Sequence, residues 1–241
     1  MTKLNELELQ SKTINWLRFP LSVLVIFIHM NPVVDIQSVD YLCLNASNWY
    51  DIFGTLISKV VGQIAVPCFF MFSGYWFFYN QKEWNKTVYF TKVKTRLRTL
   101  VLPYILFNVS AIIIFAIPKI LKADGSLYPF LNDLLENWYR IFWNYSTWNP
   151  ESFNMIGLPM QPNFGPYVLP LWFLRDLIVM VFISPIVYYW VKHTKIWGLI
   201  ILFFFYYTKI WIEIPGYSAR LFLTAFFFFS IGAFFSINKK N

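Results

Sequence analysis

The chain of 241 residues is 58% hydrophobic and 22% aromatic, with 13% charged side chains and a mean hydropathy of +0.50. A soluble domain of this length cannot bury so much apolar surface, so the composition specifies an all-α, polytopic transmembrane helical bundle. The formal net charge of +8 sits in clusters between apolar runs, as in the cytoplasmic loops of a membrane protein, which argues against a nucleic-acid partner and for membrane lipids.

In chain order, the start MTKLNELELQSKT is polar and carries both charge signs, unlike the basic opening of a cleavable signal. About six spans of roughly 20 residues follow, near 14–32, 52–79, 99–118, 168–191, 196–213 and 219–237. Between the second and third, residues 80–98 read as a basic loop, with Lys82, Lys86, Lys92, Lys94, Arg96 and Arg98 against Glu83. Such a short basic loop belongs on the cytoplasmic side. Residues 31–51 carry no Lys or Arg and fall outside; Lys3, Lys192, His193, Lys195, Lys239 and Lys240 then fall inside, so both termini are expected in the cytoplasm. The resulting localisation is the cell (inner or plasma) membrane, crossed several times. The outer stretch 118–167 is rich in Trp, Tyr, Asn and Pro, including Trp138, Trp143, Trp148, Pro150, Pro159, Pro162 and Pro166, and residues 131–142 suit an interfacial amphipathic helix. No internal repeat or low-complexity linker divides residues 1–241, which read as a single membrane-embedded domain. Cys43 and Cys68 have neither CxxC nor metal-ligand spacing, so no disulfide framework and no metal is expected.

The first span, INWLRFPLSVLVIFIHM, holds two ionisable residues, Arg18 and His29. Their separation of eleven brings them within roughly 20° of one helix face and about 16 Å apart along the axis, with Asn15 and Ser22 beside them. Ionisable groups in lipid are costly and usually face a bundle interior or a wet cavity, which makes this stripe a candidate site. The alternative is that both side chains reach the headgroups at the two ends of the span. In the orientation above, Arg18 lies towards the cytoplasm, where a guanidinium suits a phosphate-bearing ligand. His29 lies in the outer half, where an imidazole can exchange a proton near neutral pH.

Three further stretches carry candidates. VPCFFMFSGYWFF places Pro67, Ser73 and Gly74 in an apolar helix, either as a packing kink or as part of a site; no GxSxG or SxxK surrounds Ser73. KVKTRLRTLVLPY sets Lys94, Arg96 and Arg98 on the cytoplasmic side, as topology signals or as ligands for phosphates. LPLWFLRDL puts Arg175 beside Asp176 inside an apolar segment. Neighbours on a helix point about 100° apart, so each is expected to meet a partner on another helix, unless both lie solvated at the rim. His193 reads as a solvated loop residue.

These pieces together resemble the integral-membrane acyltransferase family 3, which includes bacterial polysaccharide O-acetyltransferases of the cell envelope. The resemblance rests on Arg18 and His29 with ten residues between them, FFMFSGYWFF (residues 69–78), RLRTLVLPY (96–104) and LWFLRDLIV (171–179), in the family's order. It implies a membrane acyltransferase that moves an acetyl or other acyl group from cytoplasmic acyl-CoA, a donor substrate rather than a bound cofactor, to a hydroxyl of a cell-surface or lipid-linked glycan. By the same resemblance His29 is the catalytic base or transient acyl carrier and Arg18 supports the donor end. Lys94, Arg96 and Arg98 bind the donor's phosphates, and Ser73, Gly74, Trp172, Arg175 and Asp176 are substrate-binding or structural. The family has about ten spans, so the resemblance implies that residues 1–241 form the first part of such a bundle: a fragment, a short member, or one without turnover. A non-catalytic membrane module, permease-like or ligand-sensing, is the competing reading. Pro67 has no symmetric counterpart of the kind a transporter's repeated halves would show.

Overall fold

The computed structural model describes residues 6–30, 53–54, 56–79, 81, 84–122, 126–148, 163–212 and 214–238. The stretch 31–51 with Cys43, residues 149–162 with Pro150, Pro159 and Pro162, and Lys3, Lys82, Glu83, Lys239 and Lys240 lie outside them. The protein is an all-α helical membrane bundle, and its chain separates into two compact units, Met1–Phe72 and Ser73–Asn241.

The first unit is built on α1 (Glu6–Met30), 25 residues without interruption. Pro20 lies inside it and offers no N–H to the carbonyl one turn back, yet the helix continues. A π-helical turn (Leu56–Val61) and a short 3-10 turn (Gly62–Ile64) lead into α2 (Ala65–Phe78). A Cβ on the buried Gly62 would lie 2.7 Å from Ile28 Cγ1 and 3.0 Å from the Ile57 carbonyl oxygen, so the end of α1 meets this turn only because position 62 has no side chain. The buried Ser58 is satisfied within its own turn, donating to the Gly54 carbonyl at 2.7 Å.

In the second unit, α3 (Lys86–Arg96), a π-helical turn (Leu97–Val101) and α4 (Leu102–Lys122) form one long rod. Asn85 starts it by accepting the Val88 backbone N–H at 2.9 Å. The basic stretch read as a loop is therefore largely helix, because an N-cap and helix-compatible Lys and Arg residues let the helix begin outside the apolar segment. α5 (Leu127–Glu136) and α6 (Trp138–Ile141) follow, then an antiparallel pair, β1 (Ser146–Trp148) and β2 (Asn163–Gly165). Helices α7 (Trp172–Phe182), α8 (Ser184–Thr208) and α9 (Ala219–Ile237) complete it.

Helix α9 is the centre of this unit. Its sequence ARLFLTAFFFFSIGAFFSI is apolar apart from Arg220, Thr224, Ser230 and Ser236, and it packs on α7 and α8 with Leu223, Ala225, Phe229 and Ala233 fully covered. Apolar burial gives no driving force between helices already in lipid, so close packing must hold them. Phe77, Phe78, Trp84, Tyr188 and Phe229 supply it, with ring centroids 4.9–6.1 Å apart in edge-on, tilted and stacked pairs.

The stretch between α4 and α7 is a folded appendage rather than a loop. It turns back along α4: the Lys119 ammonium sits 5.2 Å over the Phe130 ring, and the Tyr104 hydroxyl donates to the Phe142 carbonyl at 2.5 Å. The fully buried Asn108 donates to the Tyr104 carbonyl at 2.8 Å and accepts the Val168 N–H at 3.0 Å. The helix expected over 131–142 is present in two pieces, broken at Asn137 (φ −108°, ψ 21°).

Among the described residues four helices are long and apolar enough to cross a membrane, Ser11–His29, Leu56–Phe78, Lys86–Leu121 and Ala219–Ile237. The pair Leu169–Phe182 and Ser184–Thr208, bent by 67°, makes a fifth when counted as one. The sequence reading divides this region at the charges of 192–195. The structure instead bends it at Ile183, where Pro185 opens the next helix, and runs helix through Lys192 and His193 to a break at Lys195 (φ 51°, ψ −129°).

Candidate functional site

In the first unit the structure bears directly on the polar stripe. Because α1 is unbroken, helical geometry puts Arg18 and His29 within roughly 20° of one face and about 16 Å apart. Arg18 Nη1 donates to Asn15 Oδ1 at 3.1 Å, and the Ser22 hydroxyl donates to the Arg18 carbonyl at 2.8 Å. Asn15, Arg18 and Ser22 thus form one local hydrogen-bonded ridge, with the guanidinium steadied from one side. Arg18 and His29 are both exposed on the helix surface.

The second unit brings two other candidates together. Ser73 of α2 and Arg96 at the end of α3 line one recess, with Phe77, Leu100, Leu177, Val181 and Phe229. Its free volume is about 10 Å³, room for about one water and far below the ~300–1,000 Å³ of sites for drug-sized ligands, so it holds no nucleotide. The π-helical turn directly after Arg96 sets the rotation at which Arg96 meets α7; such turns recur where a helix carries function. Lys94 and Arg98 are exposed and do not line the recess.

Lys92, not singled out from the sequence, is half-buried beside it. Its ammonium donates to the Phe77 carbonyl and stands 5.5 Å from the Phe77 ring centre. The helical period of α3 carries that signal, since Lys92 lies one turn before Arg96.

Gly74 has a packing role. A Cβ there would sit 2.1 Å from the Phe229 carbonyl oxygen, so α2 and α9 cross backbone to backbone at this residue.

Arg175 and Asp176 are buried, at 2% and 0% exposure, which excludes a solvated rim. They pair with each other: Arg175 Nε donates to Asp176 Oδ1 at 2.8 Å, and Nη2 stands 2.8 Å from the same oxygen. The expectation that each finds its partner on another helix is corrected. Arg175 ends the first turn of α7 and Asp176 begins the second, and the long arginine side chain bends over to its neighbour. The rest of the guanidinium does reach elsewhere. Arg175 Nη1 donates to the Trp143 carbonyl at 2.6 Å and to the Phe164 carbonyl at 2.8 Å, and the group lies 5.3 Å and 4.5 Å from the Trp143 and Tyr217 rings. Arg175 therefore ties the segment before β1 and the middle of β2 to the bundle.

Of the remaining candidates, Trp172 opens α7 half-buried, and Cys68 is half-buried in α2. His193 is exposed, as expected, but on helix α8, its Nδ1 2.8 Å from the Tyr189 carbonyl oxygen.

Comparison with known proteins follows the same lines. The succinoglycan biosynthesis protein ExoH of Rhizobium meliloti (strain 1021) is 27% identical over 178 residues, which cover 73% of this chain and 42% of that protein. The match thus spans less than half of the relative's length. No solved structure matches. A family model described as an acyltransferase domain matches residues 11–241, from the ridge on α1 through the last helix. With nearly its whole length matched, the chain belongs to the integral-membrane acyltransferase family 3.

Proposed function

We propose that the protein transfers an acyl group, acetyl in the simplest case, from cytoplasmic acyl-CoA to a hydroxyl of a cell-surface or lipid-linked glycan. The observation that carries this reading is the unbroken α1, which sets His29 and Arg18 on one face of a chain of this family. In the reaction the acceptor oxygen attacks the thioester carbonyl while the His29 imidazole takes its proton. The bond from carbonyl to sulfur breaks, the CoA thiolate leaves and is protonated, and an ester remains on the sugar. A two-step course, with His29 carrying the acyl group in between, uses the same atoms. Arg18 supports the donor end, and Lys94, Arg96 and Arg98 hold its phosphates by charge-assisted bonds. The similarity to ExoH, a succinoglycan biosynthesis protein, supports a glycan as acceptor.

The test is acyl transfer from labelled acetyl-CoA, and from longer acyl-CoAs, in membranes carrying the 241-residue chain, with glycan extracts as acceptors. Label is expected in the glycan fraction with His29 intact, falling at least 100-fold in His29→Ala, in the range general catalysis by one side chain contributes. Transfer that survives His29→Ala in a folded variant removes His29 from the chemistry. No transfer and no CoA release from any donor would favour a non-catalytic module.

A further inference from the structure

The α5–α6 appendage has two unlike exposed faces. One is apolar: Tyr128, Leu135, Trp138 and Tyr139 are each more than half exposed. In a membrane protein such a face rests on lipid. The other is polar and of mixed sign. There the Asp133 carboxylate accepts the Asn137 amide at 2.9 Å and the Tyr145 hydroxyl. Arg140 reaches the side-chain oxygens of Asn137 and Asn144 at 3.4 Å each, and the Tyr145 ring stands 5.1 Å from that of Tyr167 with the planes at 45°.

The appendage is attached through Tyr104, Asn108 and Arg175, and the Tyr167 ring also meets Phe115 of α4 edge-on at 6.2 Å. This face is rigid because its own groups hold one another, Asp133 with Asn137 and Tyr145, and Arg140 with Asn137 and Asn144. Its chemistry is specific. Carboxylate, amide and guanidinium are planar, two-pronged groups that match adjacent hydroxyls, each of which donates and accepts. Two tilted tyrosine rings offer apolar faces to the C–H side of a pyranose. Asp133 and Arg140 balance in charge, which disfavours an anionic ligand such as phosphate. Burial and the Asp133 carboxylate push the Tyr145 hydroxyl up to about 12; its one O–H is donated to Asp133, which leaves the oxygen lone pairs to accept from a sugar hydroxyl.

We infer that this face is the acceptor subsite, binding a neutral hexose unit of a glycan through Asp133, Asn137 and Arg140 with Tyr145 and Tyr167 against the sugar ring. The inference rests on the transferase reading and names the substrate class at one end of it.

The test titrates the purified full chain in nanodiscs with neutral hexose tetrasaccharides of β-1,4, α-1,4 and β-1,3 linkage, read by calorimetry. Saturable binding of at least one is expected, weakened at least tenfold by Asp133→Asn and by Tyr145→Ala. Should either variant fold poorly, Tyr145→Phe keeps the ring, and a threefold or greater loss is expected from the missing hydroxyl. No saturable binding to any of the three, or binding that these variants leave within twofold, overturns the subsite. Binding that depends on Asp133 in a protein with no acyl transfer supports the subsite and removes the transferase reading. Acyl transfer to glycan that Asp133→Asn leaves unchanged does the reverse.

Discussion

A guanidinium at 2% exposure and a carboxylate at 0% would each cost several kcal/mol to take out of water singly, so Arg175 and Asp176 are tolerable only as a pair. Removing one partner should therefore cost more than removing both. Arg175→Met is expected to destabilise the purified protein by about 3–5 kcal/mol, and Arg175→Met with Asp176→Leu by distinctly less. Denaturant midpoints in detergent decide this, and equal losses in the two variants would overturn the argument. The arginine variants should also loosen the appendage, since both lose the bonds to the Trp143 and Phe164 carbonyls. Hydrogen exchange is expected to rise in 143–148 and 163–168, whereas Asp176→Asn alone should move it less. The pair stood out in the sequence as charges inside an apolar run, but its partners did not. Carbonyls contributed by remote backbone leave no mark on residue type, and a side chain folding back along its own turn is invisible to angular spacing. Arg18 and His29 were legible for the opposite reason, since regular helix geometry alone fixes their relation.

At the scale of elements, two places depend on backbone rather than side chain. The π-helical turn Leu97–Val101 holds one residue more than an α-helical turn would. Deleting Thr99, exposed on that turn, should restore α-helix and rotate Arg96 by about 100° relative to α4. The expected outcome is a protein that still folds but loses acyl-CoA-dependent activity at least tenfold. Activity within twofold of wild type would show that the rotation of Arg96 is immaterial. The second place is the α2–α9 crossing. Gly74→Ala sets a methyl 2.1 Å from a backbone oxygen, whereas Gly62→Ala meets first a movable Ile28 side-chain carbon at 2.7 Å. Overpacking costs about 1–3 kcal/mol, and the Gly74 variant should lie at the upper end and below Gly62→Ala in melting temperature. Apolar periodicity revealed the helices themselves. Neither π-helical turn was readable, because a one-residue insertion changes no residue type, and the bend at Ile183 lost to the nearby charges as a boundary signal.

At the scale of the whole molecule, the distribution of Lys and Arg makes the sharpest claim, because the donor reading needs Lys94, Arg96 and Arg98 on the cytoplasmic side. The class of the protein was plain from composition, and four matching helices follow from length and apolarity. Its appendage was not plain, since aromatic, Asn-rich and Pro-rich sequence serves equally for interfacial belts and for folded caps. Orientation is a separate matter, set by the charges that flank the apolar segments rather than by packing. It makes Cys43, in a stretch free of Lys and Arg, reactive towards a membrane-impermeant maleimide in intact cells. With Cys43→Ser and Cys68→Ala in place, a cysteine at the exposed position 94 (Lys94→Cys) should react only after the cells are opened. Labelling of that cysteine in intact cells would invert the bundle, moving the basic end of α3 away from cytoplasmic acyl-CoA. The phosphate-binding role of Lys94, Arg96 and Arg98 would then fall, while the geometry of the ridge on α1 would stand unchanged.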